Sequence, residues 1–148
     1  MNIKNYTTDI EASKTVGEIQ SYLAEQGVSN IGISYENKKP VAITFTVDIG
    51  NIKNVPVRMP ARAASAELIL KEMKARRGNK MTTKPDYDQA CRVAWRLILD
   101  WVKVQMSMVY LGQAEMAEIF MPYITDENGQ TLFERMRETQ FLLPEPPI

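Results

Sequence analysis

Apolar and polar residues repeat with two different periods along this chain, and the change of period separates a strand-rich first half from a helical second half. Ile3 to Thr8 reads as a short strand, and Thr15-Val16-Gly17-Glu18 matches a capping box, whose Thr and Glu side chains satisfy free amides at a helix start. Val16, Ile19, Tyr22 and Leu23 share one helical face and Gly27 supplies a stop, which predicts a first helix of about three turns. A period of two follows. Ile31, Ile33 and Tyr35 alternate, Asn37 to Pro40 makes a turn, and Val41, Ile43, Phe45 and Val47 alternate with Ala42, Thr44, Thr46 and Asp48. Gly50-Asn51 breaks that strand, and Val55, Val57 and Met59 form another that Pro60 ends. The expected sheet is a three-stranded antiparallel meander.

From Ala63 the spacing turns helical, with Ala66, Ile69, Leu70 and Met73 on one stripe and Gly78-Asn79 as the end. Pro85-Asp86 then opens the dominant element, a helix reaching Leu111 with Gly112 as its stop, roughly 26 residues or about 39 Å. On its wheel Ala90, Ala94, Leu97, Ile98, Trp101, Val104 and Met108 make one apolar arc. Cys91, Trp95, Leu99, Val102, Met106 and Val109 make a second beside it. One sheet face cannot cover both, so a second partner is expected: the C-terminal helices or, as the favoured cover, a second copy in a symmetric dimer. Those helices are read as Gln113 to Met121 and Gln130 to Gln140, joined by a turn at Asp126-Glu127-Asn128-Gly129. The fold class is therefore α+β: an N-terminal strand and helix, the meander, then a helical half built on one long central helix. Residues 1–141 form a single domain in this reading, and 142–148, Leu-Leu-Pro-Glu-Pro-Pro-Ile, an extended Pro-rich tail.

Composition narrows the chemistry. Among 148 residues there is no histidine and one cysteine, Cys91, which excludes His-dependent triads, His-containing zinc sites and an internal disulfide. Without an apolar N-terminal run or an uninterrupted membrane-length segment, the expectation is a cytoplasmic protein with no membrane partner. Enzymatic activity is not expected and no cofactor is implied. The one enzymatic alternative, a carboxylate-metal nuclease, rests on Asp48 followed by Glu72-Met73-Lys74, a loose echo of an Asp…Glu-x-Lys pattern.

Charge adds a direction. The eighteen basic and eighteen acidic side chains cancel overall, but residues 58–96 hold ten basic against four acidic groups, +6, and residues 97–148 three against eight, −5. Arg58, Arg62, Lys74, Arg76, Arg77, Lys80, Arg92 and Arg96, with Trp95 as a stacking surface, are accordingly the candidate site for nucleic acid or a nucleotide-type ligand. The alternative is direct binding to a protein, such as a host defence enzyme. It would use the apolar arc, the acidic C-terminal third and the Pro-rich tail; separately, the methionines at 106, 108, 116, 121 and 136, with Phe120, Tyr123 and Phe133, form a candidate adaptable protein-binding surface.

Ala12 to Gln20, Val57-Arg58-Met59-Pro60-Ala61 and, most specifically, Ala94-Trp95-Arg96 with Asp100-Trp101 and Gln105 resemble a family of small phage and prophage proteins, over about Tyr6 to Phe133. The resemblance implies a setting inside a bacterial host and work by binding, in viral DNA metabolism or counter-defence. It assigns no functional residue.

Overall fold

The computed structural model describes residues 1–141. Its order is α1 (Ala12–Glu25), β1 (Ser29–Glu36), β2 (Lys39–Ile49), β3 (Ile52–Pro60), α2 (Ala63–Arg77), α3 (Tyr87–Tyr110), α4 (Met116–Phe120) and α5 (Leu132–Glu138). The chain is thus α+β, with a three-stranded antiparallel sheet in the order β1-β2-β3 and a helical C-terminal half. Asn37 and Lys38, with φ of 50° and 64°, give the left-handed pair that a tight hairpin needs between β1 and β2. In β2 the alternation buries Ile43, Phe45 and Val47, which share a face with Val57 and Met59 of β3.

That face meets α1 and α3 in one core, where Val16, Ile19 and Leu23 join Trp95, Leu99, Val102 and Met106. A smaller core lies between α2 and the first half of α3, built from Ala66, Leu70, Met73, Ala90, Val93 and Ala94. Asp86 caps α3 by accepting the Gln89 amide at 2.8 Å. At its far end the sheet borrows an edge: the Thr125 amide donates to Pro56 O at 3.0 Å and Ile124 bridges Val57, which anchors the C-terminal segment beside β3.

Four expectations need correction. Residues 3–8 form no strand: a turn at Asn5 (φ 66°) sends Ile3 and Tyr6 onto the α2–α3 core, and Gln89 Nε2 holds Tyr6 O and Thr8 O, so their backbone never reaches a sheet edge. Thr15 does not cap α1, which begins a turn earlier behind Glu11; its hydroxyl is buried inside the helix without a partner. The predicted 113–121 helix shortens to α4, because the Glu115 and Glu118 pair makes the capping box there, and 130–140 shortens to α5 behind Thr131. The arc of α3 that carries Ala90 and Ala94 takes its cover from more than the C-terminal helices: α2 buries Ala90 and Ala94, α4 and the following turn reach Trp101, and Val104 and Met108 stay exposed. The tail at 142–148 lies outside the described residues.

Candidate functional site

The open part of α3 is the floor of a groove of about 1060 Å³. It exists because α2 has 15 residues and α3 has 24, so that α2 stops covering its neighbour near Leu97. Leu97, Ile98, Trp101 and Val104 form the floor, Ala66 and Ile69 of α2 one wall, and Tyr123 with Phe133 of α5 the other. Trp101 is fixed rather than loose: its ring meets Tyr123 edge-on at 5.7 Å and Phe120 at 6.1 Å, and Phe120 in turn packs edge-on against Phe45 at 5.1 Å. An apolar hollow of this size with fixed aromatic groups is the usual form of a ligand site.

Charges stand only around the rim. Lys4 pairs with Asp100, while Arg62 and Glu134 line opposite walls and Arg137 lies over the Phe133 ring at 4.8 Å. Arg62 and Arg137 both line the groove, and among the described residues neither is paired with a carboxylate.

Asp100 ties the N-terminal segment to this rim. Burial raises its carboxyl pKa, but hydrogen bonds from Lys4 and Asn5 and the nearby Lys4 and Arg96 charges outweigh that and hold it below the usual carboxylate range. A folded-state pKa below the unfolded one stabilises the fold above the unfolded value, about pH 4, and that contribution is lost as pH falls through the folded value. Asp100→Asn should therefore leave melting between pH 5 and 7 lower than in the native chain and reduce the further loss between pH 4 and 2. Equal acid slopes in calorimetry would remove Asp100 from this role.

The basic residues singled out in the sequence do not form one surface. Alternation with buried Val57 and Met59 turns Arg58, opposite Thr44, to the sheet face away from α3. Lys74 Nζ closes the turn after α2 on Gly78 O and Met81 O. Arg76 holds Met1 O and Asn2 Oδ1 at 3.2 and 2.8 Å, and Arg77 donates to the Tyr6 hydroxyl and lies over its ring. Arg92 donates to Gln89 Oε1 at 2.8 Å, and Arg96 pairs with Glu18 of α1 at 3.2 Å. Lys80 is exposed in the turn, and Arg62 is the one member that lines the groove. Much of the +6 segment thus serves to dock the first ten residues and α1. Trp95 is corrected outright: it is 0% exposed and its Nε1 donates to Pro40 O at 3.0 Å, so it offers no face for a base.

The nuclease pattern also comes apart. Asp48 Oδ1 accepts the Asn54 amide at 2.9 Å and Lys53 lies beside Oδ2, a hairpin-closing role that lowers its pKa, whereas Glu72 is exposed on α2. Among the described residues no three carboxylate or thiol side chains are grouped to hold a metal ion, and no helix is long and apolar enough to cross a membrane. Cys91, a member of the apolar arc beside Trp95, is buried in the α2–α3 core, and burial pushes its thiol pKa up.

Sequence reasoning placed the arc of α3 and named Tyr123 and Phe133 for a separate protein-binding surface, but it missed that these line one groove with the arc, and it missed Lys4 and Arg137 altogether. The only signal available was the excess apolar width of α3. No protein-family model, curated protein or solved structure matches this chain.

Proposed function

We propose that this chain acts by binding rather than by catalysis, and that its groove captures a short apolar segment of another protein that also carries an acidic residue. The observation that carries this reading is the exposed run of α3, a floor of aliphatic and aromatic side chains bounded by Arg62 and Arg137. Such a surface recognises peptide side chains by burial and orients them by charge at the rim. The engagement of Arg76, Arg77, Arg92 and Arg96 within the fold counts against nucleic acid as the first ligand. A second copy is the competing occupant, which would give the dimer expected from the sequence.

The test is a selection of displayed random 12-residue peptides on the full chain, with labelled oligonucleotides titrated over a salt series beside it. Enriched peptides that share apolar residues with an acidic one support the reading. No enrichment together with steeply salt-dependent oligonucleotide binding overturns it, as does a concentration-dependent dimer whose formation closes the groove.

A further inference from the structure

The two edges of the sheet are treated differently by the chain, and we infer that the bare one, β1, pairs antiparallel with β1 of a second copy, joining two sheets into one. The order β1-β2-β3 makes β1 and β3 the edges. An open edge presents a row of unpaired N–H and C=O groups, and native proteins blunt it with proline, charged side chains or a covering segment. β3 is guarded in all three ways: Lys53, Pro56, Arg58 and Pro60 stand within it, and the Thr125 amide on Pro56 O and the bridge of Ile124 to Val57 cover its outer side. β1 is not. The eight residues Ser29–Glu36 include no proline and no basic side chain, and their one charge is Glu36 at the end. Among the described residues no backbone hydrogen bond reaches them except from β2.

The strand is complementary to itself. Ile31 and Ile33 pack partly on the core shared by α1 and α3, and alternation puts Tyr35, 59% exposed, on that same side of the sheet. A two-fold axis through Ile33 sets it against the copy's Ile33, Ile31 against the copy's Tyr35 and Gly32 against the copy's Ser34, so each opposed pair shares one sheet face. The same parity brings the outward amides and carbonyls of one strand to those of the other. Aromatic against β-branched side chains is a favourable cross-strand pair, and no like charges are opposed. The irregularity at Asn30, with φ of 53°, ends the extended run, which leaves Ile31 to Tyr35 as the paired length. Beyond it this register carries each Asn37-Lys38 turn toward the end of the copy's α1, where Glu25 is exposed and the last turn holds no basic residue of its own. No residue of β1 lines the groove, so the pairing leaves it open and stands apart from the peptide-binding reading.

The experiment is sedimentation of the full native chain over a concentration series. Pairing through β1 predicts a reversible monomer–dimer equilibrium that a Ser34→Lys, Tyr35→Lys chain weakens about tenfold or more. Mixing that chain with a Ser34→Glu, Tyr35→Glu chain should restore a dimer of one of each. Ser34 and Tyr35 are both exposed, so neither variant should disturb the folded monomer. Ile33→Cys should link two copies through a disulfide on mild oxidation, because directly opposed strand residues bring their Cα atoms to about 4.5–5.5 Å. Ser29→Cys, whose opposite number lies in the turn at Asn37, should not. A chain that stays monomeric at every concentration overturns the pairing, as does a dimer that the Lys variant leaves unchanged. A dimer abolished by Val104→Glu instead places the contact in the groove and overturns the β1 pairing and the groove reading together. Loss of peptide binding with the β1 dimer intact removes the groove reading alone.

Discussion

Trp95→Ala is expected to destabilise the fold by about 3–5 kcal/mol, the range for truncating a fully buried large aromatic side chain. For a domain of this length that corresponds to a fall in melting temperature of roughly 10 °C. Two effects add. The indole fills the junction between α3 and the sheet beside Leu99 and Val102, and its removal leaves a cavity among side chains already close-packed. Its Nε1 is also the donor to Pro40 O at the start of β2, so that carbonyl loses a buried partner. Trp95→Phe should recover most of the packing and lose the hydrogen bond, placing it between the two. Urea unfolding checks the order; a Trp95→Ala chain as stable as the native one would contradict the core assignment and return the indole to the surface.

The second large effect is on binding. Val104→Glu is expected to weaken selected groove ligands at least a hundredfold while changing stability by less than about 0.5 kcal/mol. Val104 is 58% exposed, so a longer polar side chain meets water in the free protein and little is lost there. Under a bound apolar segment the same carboxylate would be stripped of water against the apolar side chains of the floor. Leaving one charge buried and unpaired in an interface typically costs 2–5 kcal/mol. Leu68→Glu is the matched control: Leu68 is also exposed, at 65%, on α2 but does not line the groove, and its substitution should leave affinity within a factor of two. Parallel losses in both variants would mean that net charge, not the groove, governs binding.

The fold was largely legible because its signals are local. Alternation at Ile43, Phe45 and Val47 states a half-buried strand, and Asp86 before a long apolar-periodic run states a capped helix start. Where local signals competed with tertiary ones they failed. Thr15 and Glu18 have capping-box spacing, but Glu18 is drawn to Arg96 of α3 and the helix starts earlier. Ile3 to Thr8 has strand composition, yet Gln89, eighty residues away, takes its carbonyls.

The site was less legible for a related reason. The width of the α3 apolar face announced that something must lie beyond α2, and it named the floor of the groove. Nothing local shows that Arg76 and Arg77 reach back to residues 1–6, so a run of basic residues in sequence looked like a surface when it is mostly a set of internal ties. Nor does spacing reveal that the bridge of Ile124 to Val57 swings Tyr123 and α5 round to become the second wall. Long-range pairings of this kind are what a single sequence hides.

The most direct test of the groove as the site of action is an amide and indole chemical-shift titration of the full native chain with a selected 12-residue peptide. The account predicts that perturbations concentrate on the Trp101 indole, residues 97–104, residues 62–69 and residues 133–137, with the Trp95 indole and residues 76–80 unmoved. Perturbations centred instead on Arg76, Arg77, Lys80 and Arg92, with the Trp101 indole silent, would contradict it.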